Sequence, residues 1–304
     1  MNGSHTIPRR RAIKMLGIGT LMAAGFAHAH AAGGKVNARP KILFFSKSSG
    51  YEHDVVRPTA NGPSLSEATL IEIGKVHGFD VIATKSGDLF DGDLAQYDAF
   101  IFFTTGDLTD AGNDNGVPMS AKGKEALLAA IRLGKGFLGV HSASDTFHSK
   151  GGRFETQQHP DPYIAMLGGE FLGHGTQQNG RVRVVDATFP GLGGLGEGFT
   201  LKEEWYSLKN FRPDNHVLLI LETAEMHDPD YKRPPFPIAW ARREGKGRVY
   251  YNAMGHREDI WMSERFHQIL AGAVSWVTGR ADAELDENMS VTTPQAGMMP
   301  TEHN

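Results

Sequence analysis

The sequence predicts an α/β fold built on a mostly parallel sheet, with additional antiparallel strands in its second half. Three observations carry this. Short continuous apolar runs at 41–46, 79–83, 98–104 and 136–140 have the composition of strands buried on both faces. Segments of helical periodicity about a dozen residues long separate several of them, the βαβ pattern of a parallel sheet. In the second half several runs alternate apolar and polar residues, as half-buried antiparallel strands do.

The elements follow in order. Strand 41–46 runs into a polar loop, 47–54. Residues 64–76 place Leu65, Ala68, Leu70, Ile71 and Ile73 at helical spacing, with Ser64 as N-cap, Glu67 three residues on and Gly78 as the stop. Strands at 79–83 and 98–104 precede the polar loop 106–116. A helix at 120–133 ends at Gly134, and strand 136–140 ends at His141. Later strands are expected at 181–185, 216–222, 237–241 and 248–252, and a closing helix at 266–277 ends at Gly279. Residues 281–304 are polar and patternless and are expected to form a loose tail. The glycine-rich run 191–196 has no strand before it and no amphipathic helix after it, so it reads as a surface turn, not a nucleotide loop.

Composition removes several functions. The 304 residues include no cysteine, which excludes disulfides, thiolate nucleophiles, Fe–S clusters and Cys-ligated zinc. A formal net charge of −4 offers no general surface for neutralising phosphates, so nucleic acid is not an expected partner. The 37 glycines imply many tight turns, as in enzymes whose sites are built from loops.

The first residues read as an address. Arg9, Arg10, Arg11 and Lys14 precede an apolar stretch from Met15 to Phe26 and small-residue A-x-A sites near Ala29 and Ala31. Residues 1–31 therefore have the pattern of a twin-arginine-type signal peptide, with a periplasmic or secreted destination and no membrane partner after cleavage. The apolar run is short of the ~20 residues a spanning helix needs. Its removal takes four basic residues and no acids, leaving the mature chain near −8.

In open parallel sheets, ligands bind beyond the carboxyl ends of the strands. There the sequence places Tyr51, His53 and Asp54, then Thr105 to Asp107, then His141, Ser142, Ser144 and Asp145, then Gly255 and His256. The turn at Gly139 to Ala143 has the form of a nucleophile elbow, but the residue it lifts is His141. A histidine there can be a general base, a metal ligand, a hydrogen-bond donor to a sugar hydroxyl, or a buried structural residue. His53, His141, His174 and His256 are the metal-ligand candidates, although no pair has H-E-x-x-H or H-x-H spacing. Glu203, Glu204, Trp205 and Tyr206 form a second cluster, in which rings could stack on a sugar and a carboxylate act as acid. If the two glutamates lie on a strand, only one of them can face the site.

These residues together resemble the trehalose-utilisation (ThuA-like) family of the class I glutamine-amidotransferase-like superfamily. The resemblance runs from Lys41 to Gly279. It is carried by Ser49 to Asp54, Gly139 to Ala143, Gly168 to Phe171 with His174, Glu203 to Tyr206, Pro237 to Trp240, and Gly245 to Tyr251 leading to Gly255 and His256. It implies a flavodoxin-like three-layer α/β sandwich as one domain over 38–280. It also puts His141 where true amidotransferases carry their cysteine, which removes glutamine hydrolysis by that mechanism. The family is associated with disaccharide catabolism, in particular with keto-sugars. After His174 this chain has Gly175 where the family more usually has proline.

The expected function is cleavage or rearrangement of a (3-keto-)glycoside, with His141 or His256 as base, Glu204 as acid, and a divalent metal as an admissible cofactor. Tyr51, His53, Asp54, Ser142, Asp145, Trp205 and Tyr206 are the expected substrate contacts. The alternative is a non-catalytic periplasmic carbohydrate-binding or accessory protein. The expected partner is a small-molecule carbohydrate, and homo-oligomerisation is left open.

Overall fold

The structure, a computed structural model, describes residues 38–300. Residues 1–31, expected from the sequence to be a signal peptide, lie outside the described residues. Among them no helix is long and apolar enough to cross a membrane.

The strands are β1 (Lys41–Phe45), β2 (Asp80–Thr84), β3 (Ala99–Phe102), β4 (Gly136–Val140), β5 (Glu170–His174), β6 (Gln178–Val184), β7 (Gly198–Glu203), β8 (Tyr206–Lys209), β9 (His216–Glu222), β10 (Phe236–Glu244) and β11 (Gly247–Asn252). The helices are α1 (Leu65–His77), α2 (Ala121–Arg132), α3 (Pro162–Leu167), α4 (Glu258–Trp261), α5 (Glu264–Val277) and α6 (Met289–Thr292).

Among the described residues, nine strands form one sheet in the order β2-β1-β3-β4-β11-β10-β9-β6-β7, and β5 pairs with β8 separately. From β2 to β11 every neighbouring pair is parallel, and from β11 to β7 every pair is antiparallel. The chain moves outward from β1 to β2 and the other way from β3 to β4. Right-handed crossovers therefore place α1 and α2 on opposite faces, which makes the three layers. α5 and α4 pack with α1, and α3 packs with α2.

Local chemistry explains the helix ends. The Ser64 hydroxyl accepts from the Glu67 N–H at 3.3 Å, and Gly78 takes φ +78°, a conformation that favours glycine. Gly139 in β4 has a different reason. A β-carbon there would come within 2.9 Å of Leu167 Cδ1, so glycine is what lets α3 pack close to the sheet.

Two expectations change. Strands β5, β7 and β8 were not anticipated, because they are short and carry polar residues at half their positions or more, or pair only with each other. The segment after Gly279 is no loose tail within the described residues. The Asn288 side chain accepts from the Val217 N–H at 2.7 Å and donates to the Val217 carbonyl at 3.1 Å. Further on, Ala296 is buried, and its carbonyl accepts from Arg233 Nη2 at 2.6 Å. Burial lowers the Arg233 pKa to about 10, since no carboxylate pairs with it among the described residues.

Asn288→Ala removes both bonds to Val217 and should lower stability by about 1–3 kcal/mol. Urea unfolding of wild type and variant checks this. An unchanged midpoint would mean that the strap adds nothing to the fold.

Candidate active site

The carboxyl ends of β1, β3, β4 and β11 lie side by side in the sheet, and their loops build a cavity. The cavity has a volume of about 430 Å³ and is lined by residues including Tyr51, Asp145, Phe171, His174, Glu204 and Tyr206. At its base His53, His141, Glu204 and His256 each bring one potential ligand atom to within 4.8 Å of all the others.

The backbone at β4 sets His141. It takes φ +45°, unusual for a residue with a side chain. Its carbonyl accepts from the Tyr251 hydroxyl at 2.8 Å, and its ring Nδ1–H donates to the Ala253 carbonyl at 2.8 Å. The proton on Nδ1 leaves Nε2 as a bare lone pair, and Nε2 is buried without a hydrogen-bond partner. His53 shows the complementary pattern. Its Nε2 lies 3.4 Å from the Tyr206 hydroxyl, and its Nδ1 is the buried atom without a partner.

His256 Nδ1 is also without a well-directed hydrogen bond, although it lies 3.0 Å from Glu204 Oε2. The same carboxylate oxygen is 3.6 Å from His141 Nε2. Two lone-pair positions, one carboxylate and His256 Nδ1 thus converge, a donor set that suits a divalent cation once His256 Nδ1 is deprotonated. His256 needs one adjustment to join them. Arg257 Nη1 donates to Gln177 Oε1 at 2.6 Å, so the Gln177 amide N–H faces His256 Nε2 at 2.9 Å. The ring proton then sits on Nδ1, and coordination there requires that proton to leave and the Gln177 contact to rearrange.

Electrostatics follow this arrangement. Burial, reinforced by His141 and His256, lowers the His53 pKa to about 2, so the ring is neutral and can donate its lone pair. Burial alone would raise Glu204, but contacts with His141 and His256 outweigh it and hold the carboxyl well below its usual range. Burial raises Glu203. Glu203 ends β7 and turns away from Glu204, accepting from the Gly255 N–H at 2.9 Å and the Glu204 N–H at 2.8 Å. It fixes the loop carrying His256 and does not line the cavity.

A second network stands behind Asp145. Asp145 Oδ1 is 2.7 Å from His148 Nε2, and His148 Nδ1 is 3.2 Å from Glu170 Oε1. Hydrogen bonds that the His148 ring donates to Asp145 and then Glu170 raise its pKa to about 9. Burial alone would raise Glu170, but bonds from His148, Ser149 and Asn210 hold it at about 2.

Several expected site residues are where the sequence placed them: Tyr51, His53, Asp145, His174, Glu204, Tyr206 and His256 all border the cavity. His174 stands at its wall with Nδ1 3.5 Å from Glu204 Oε1, outside the tight group of four that includes Glu204 in its place. Asp54 borders an adjoining hollow. Two expected contacts are corrected. Trp205 is fully buried in the core, with Nε1 donating to the Gln178 carbonyl at 3.1 Å, because the corner between β7 and β8 turns it inward. Ser142 is fully buried behind the elbow, because the turn lifts only His141. Phe171 and Gln177 were missed; neither carries chemistry that a sequence pattern would single out.

An α/β sheet with a histidine–carboxylate cluster at its carboxyl edge defines the class. The chain matches the ThuA family, described as trehalose utilisation, over residues 41–277, and it belongs to that family. It is similar in fold to a ThuA-like protein from Bacteroides uniformis ATCC 8492, at 20% identity and a TM-score of 0.57, covering 79% of this chain and 92% of that one. A ThuA-like protein from Parabacteroides merdae ATCC 43184 is similar at 15% identity and a TM-score of 0.59, covering 81% and 92%. No curated protein matches the chain. Family membership connects the chain with carbohydrate metabolism.

The His148 network gives a pH prediction. The folded His148 pKa of about 9 lies above its ordinary 6.5, so its stabilisation is complete below 6.5 and is lost as pH rises through 9. The Glu170 value of about 2 lies below 4.5, so its share is present above 4.5 and is lost as pH falls toward 2. Urea midpoints should therefore fall between pH 6.5 and 9 in wild type and fall less in His148→Asn. Equal slopes would remove the network as the cause.

Proposed function

We propose that the chain is a metal-dependent enzyme that cleaves a 3-keto-glycoside of the trehalose type. The observation that carries this is the convergence of three unpartnered buried histidine nitrogens and the Glu204 carboxylate beneath a cavity walled by Tyr51, Phe171 and Tyr206. His53, His141, Glu204 and His256 would hold the ion. When bound, a divalent ion supplies Lewis-acid stabilisation of negative charge on sugar oxygen.

This moves the acid–base work away from His141, His256 and Glu204, which face one another. The titratable groups left facing the cavity include Asp145 and His174. A 3-keto group acidifies the C2–H bond. Asp145, backed by charged His148, takes that proton; the electron pair forms the C1–C2 double bond as the C1–O bond breaks. The Gly175 carbonyl holds His174 Nδ1–H at 3.0 Å. As the imidazolium, protonated on both nitrogens, His174 gives its Nε2 proton to the leaving oxygen and is left neutral. Addition of water across the double bond completes the hydrolysis. Tyr206, whose burial pushes its pKa well above the usual range, stays a neutral hydroxyl in this scheme. We further propose that residues 1–31 export the chain to the periplasm by a twin-arginine route.

Protein purified without chelators should contain about one divalent ion per chain, and His141→Ala should lose it. The loaded wild type should release glucose from 3-keto-trehalose. Asp145→Asn should keep the ion while kcat falls about 10²- to 10⁴-fold. Binding of 3-keto-trehalose by loaded wild type with no turnover would overturn the enzyme reading in favour of a binding protein.

A further inference from the structure

Beside the metal-ligand cavity lies a second hollow of about 320 Å³. The two share Tyr51, Gln177 and His256 as a common wall. On its far side are Arg257, Asp259 and Met262. Two features set this hollow apart from ordinary surface.

The first is apolar. Tyr51 and Met262 are each 63% exposed, and both border this one hollow. Single exposed apolar side chains need no explanation, but two facing one concavity mark a contact surface. The Tyr51 ring stands perpendicular to His53, with centroids 5.0 Å apart, so it is anchored at the boundary between the two chambers.

The second is polar and rigid. Arg257 Nη1 donates to Gln177 at 2.6 Å, while Nε and Nη2 donate to the two carboxylate oxygens of Asp259 at 2.9 and 3.1 Å. The guanidinium and carboxylate planes are therefore set before any ligand arrives, which lowers the ordering cost of binding. Planar groups of this kind can pair with the vicinal hydroxyls of a pyranose, and an aromatic or thioether surface accepts its C–H face. Asp54, Glu258 and Asp259 line the hollow against one arginine, Arg257, so a phosphorylated ring is disfavoured and a neutral one fits.

We propose that this hollow is the subsite for the second, neutral sugar ring of a disaccharide whose oxidised ring lies over His53, His141, Glu204 and His256. This rests on the function proposed above and adds to it where the second ring of that substrate sits. Each chamber lies near the lower end of the size of small-ligand sites, and the chambers meet at Tyr51 and Gln177, where a glycosidic oxygen joins two rings.

Calorimetry on the metal-loaded chain tests this with unoxidised trehalose and glucose, which the proposed reaction leaves intact. Trehalose should bind at least about tenfold more tightly than glucose. Met262→Ala and Asp259→Ala, whose side chains border only the outer hollow, should each erase most of that ratio by weakening trehalose alone. Equal affinities in wild type would overturn the second-ring subsite and leave the carbohydrate reading standing. A trehalose preference unchanged in both variants would overturn its assignment to this hollow. Binding of neither sugar would overturn the subsite, whereas turnover of 3-keto-trehalose separately decides the function on which it rests.

Discussion

The hydrogen bond from His141 Nδ1 to the Ala253 carbonyl, 2.8 Å long, ties the ends of two parallel strands and sets the chemistry of the site at once. His141 follows β4 directly, and Ala253 follows β11, the strand paired with it. If the bond were absent, the imidazole could carry its proton on either nitrogen, and Nε2 would lose its enforced lone pair. The backbone strain at φ +45° persists because Tyr251 and Ser144 brace the turn, with 2.8 Å between their hydroxyls. The cavity therefore depends on strand register: Tyr251 pairs with Gly139 and Asn252 with Val140. A slip of one residue would point every one of these side chains to the other face.

Buried charge shapes the rest. Three carboxylates near the cavity have different roles because their surroundings differ. Glu203 is fully buried against backbone N–H groups and positions the His256 loop. Glu204 is surrounded by histidines and is held ionised. Glu170 is buried against His148, Ser149 and Asn210 and orients Asp145 through His148. Neighbouring residues in sequence thus take separate duties, since the turn after β7 sends Glu203 inward and Glu204 toward the cavity.

Much of the architecture was legible because apolar periodicity reports burial directly. The runs at β1, β3 and β4 are apolar throughout since both faces of a parallel sheet are covered, and the Ser64 cap and Gly78 stop are local chemistry. The site was legible in part for a topological reason. Once the strands are parallel, the residues after each of them must share one edge, and Tyr51, His53, His141, Asp145 and His256 do so. Strands β5 and β8 gave no such signal, as they pair only with each other and carry mixed residues.

By itself the sequence determined the layered fold, the edge that bears the chemistry, and the replacement of an elbow nucleophile by His141, all of which follow from local pattern and chain order. Tertiary structure alone decided which histidine nitrogens are bare, which glutamate faces the cavity, and that Trp205 belongs to the core. Those outcomes depend on hydrogen bonds between residues more than 100 positions apart, such as His141 with Ala253, and on a corner that turns one side chain inward and its neighbour outward. Direction and partner are properties of packed neighbours, and a linear pattern does not encode them.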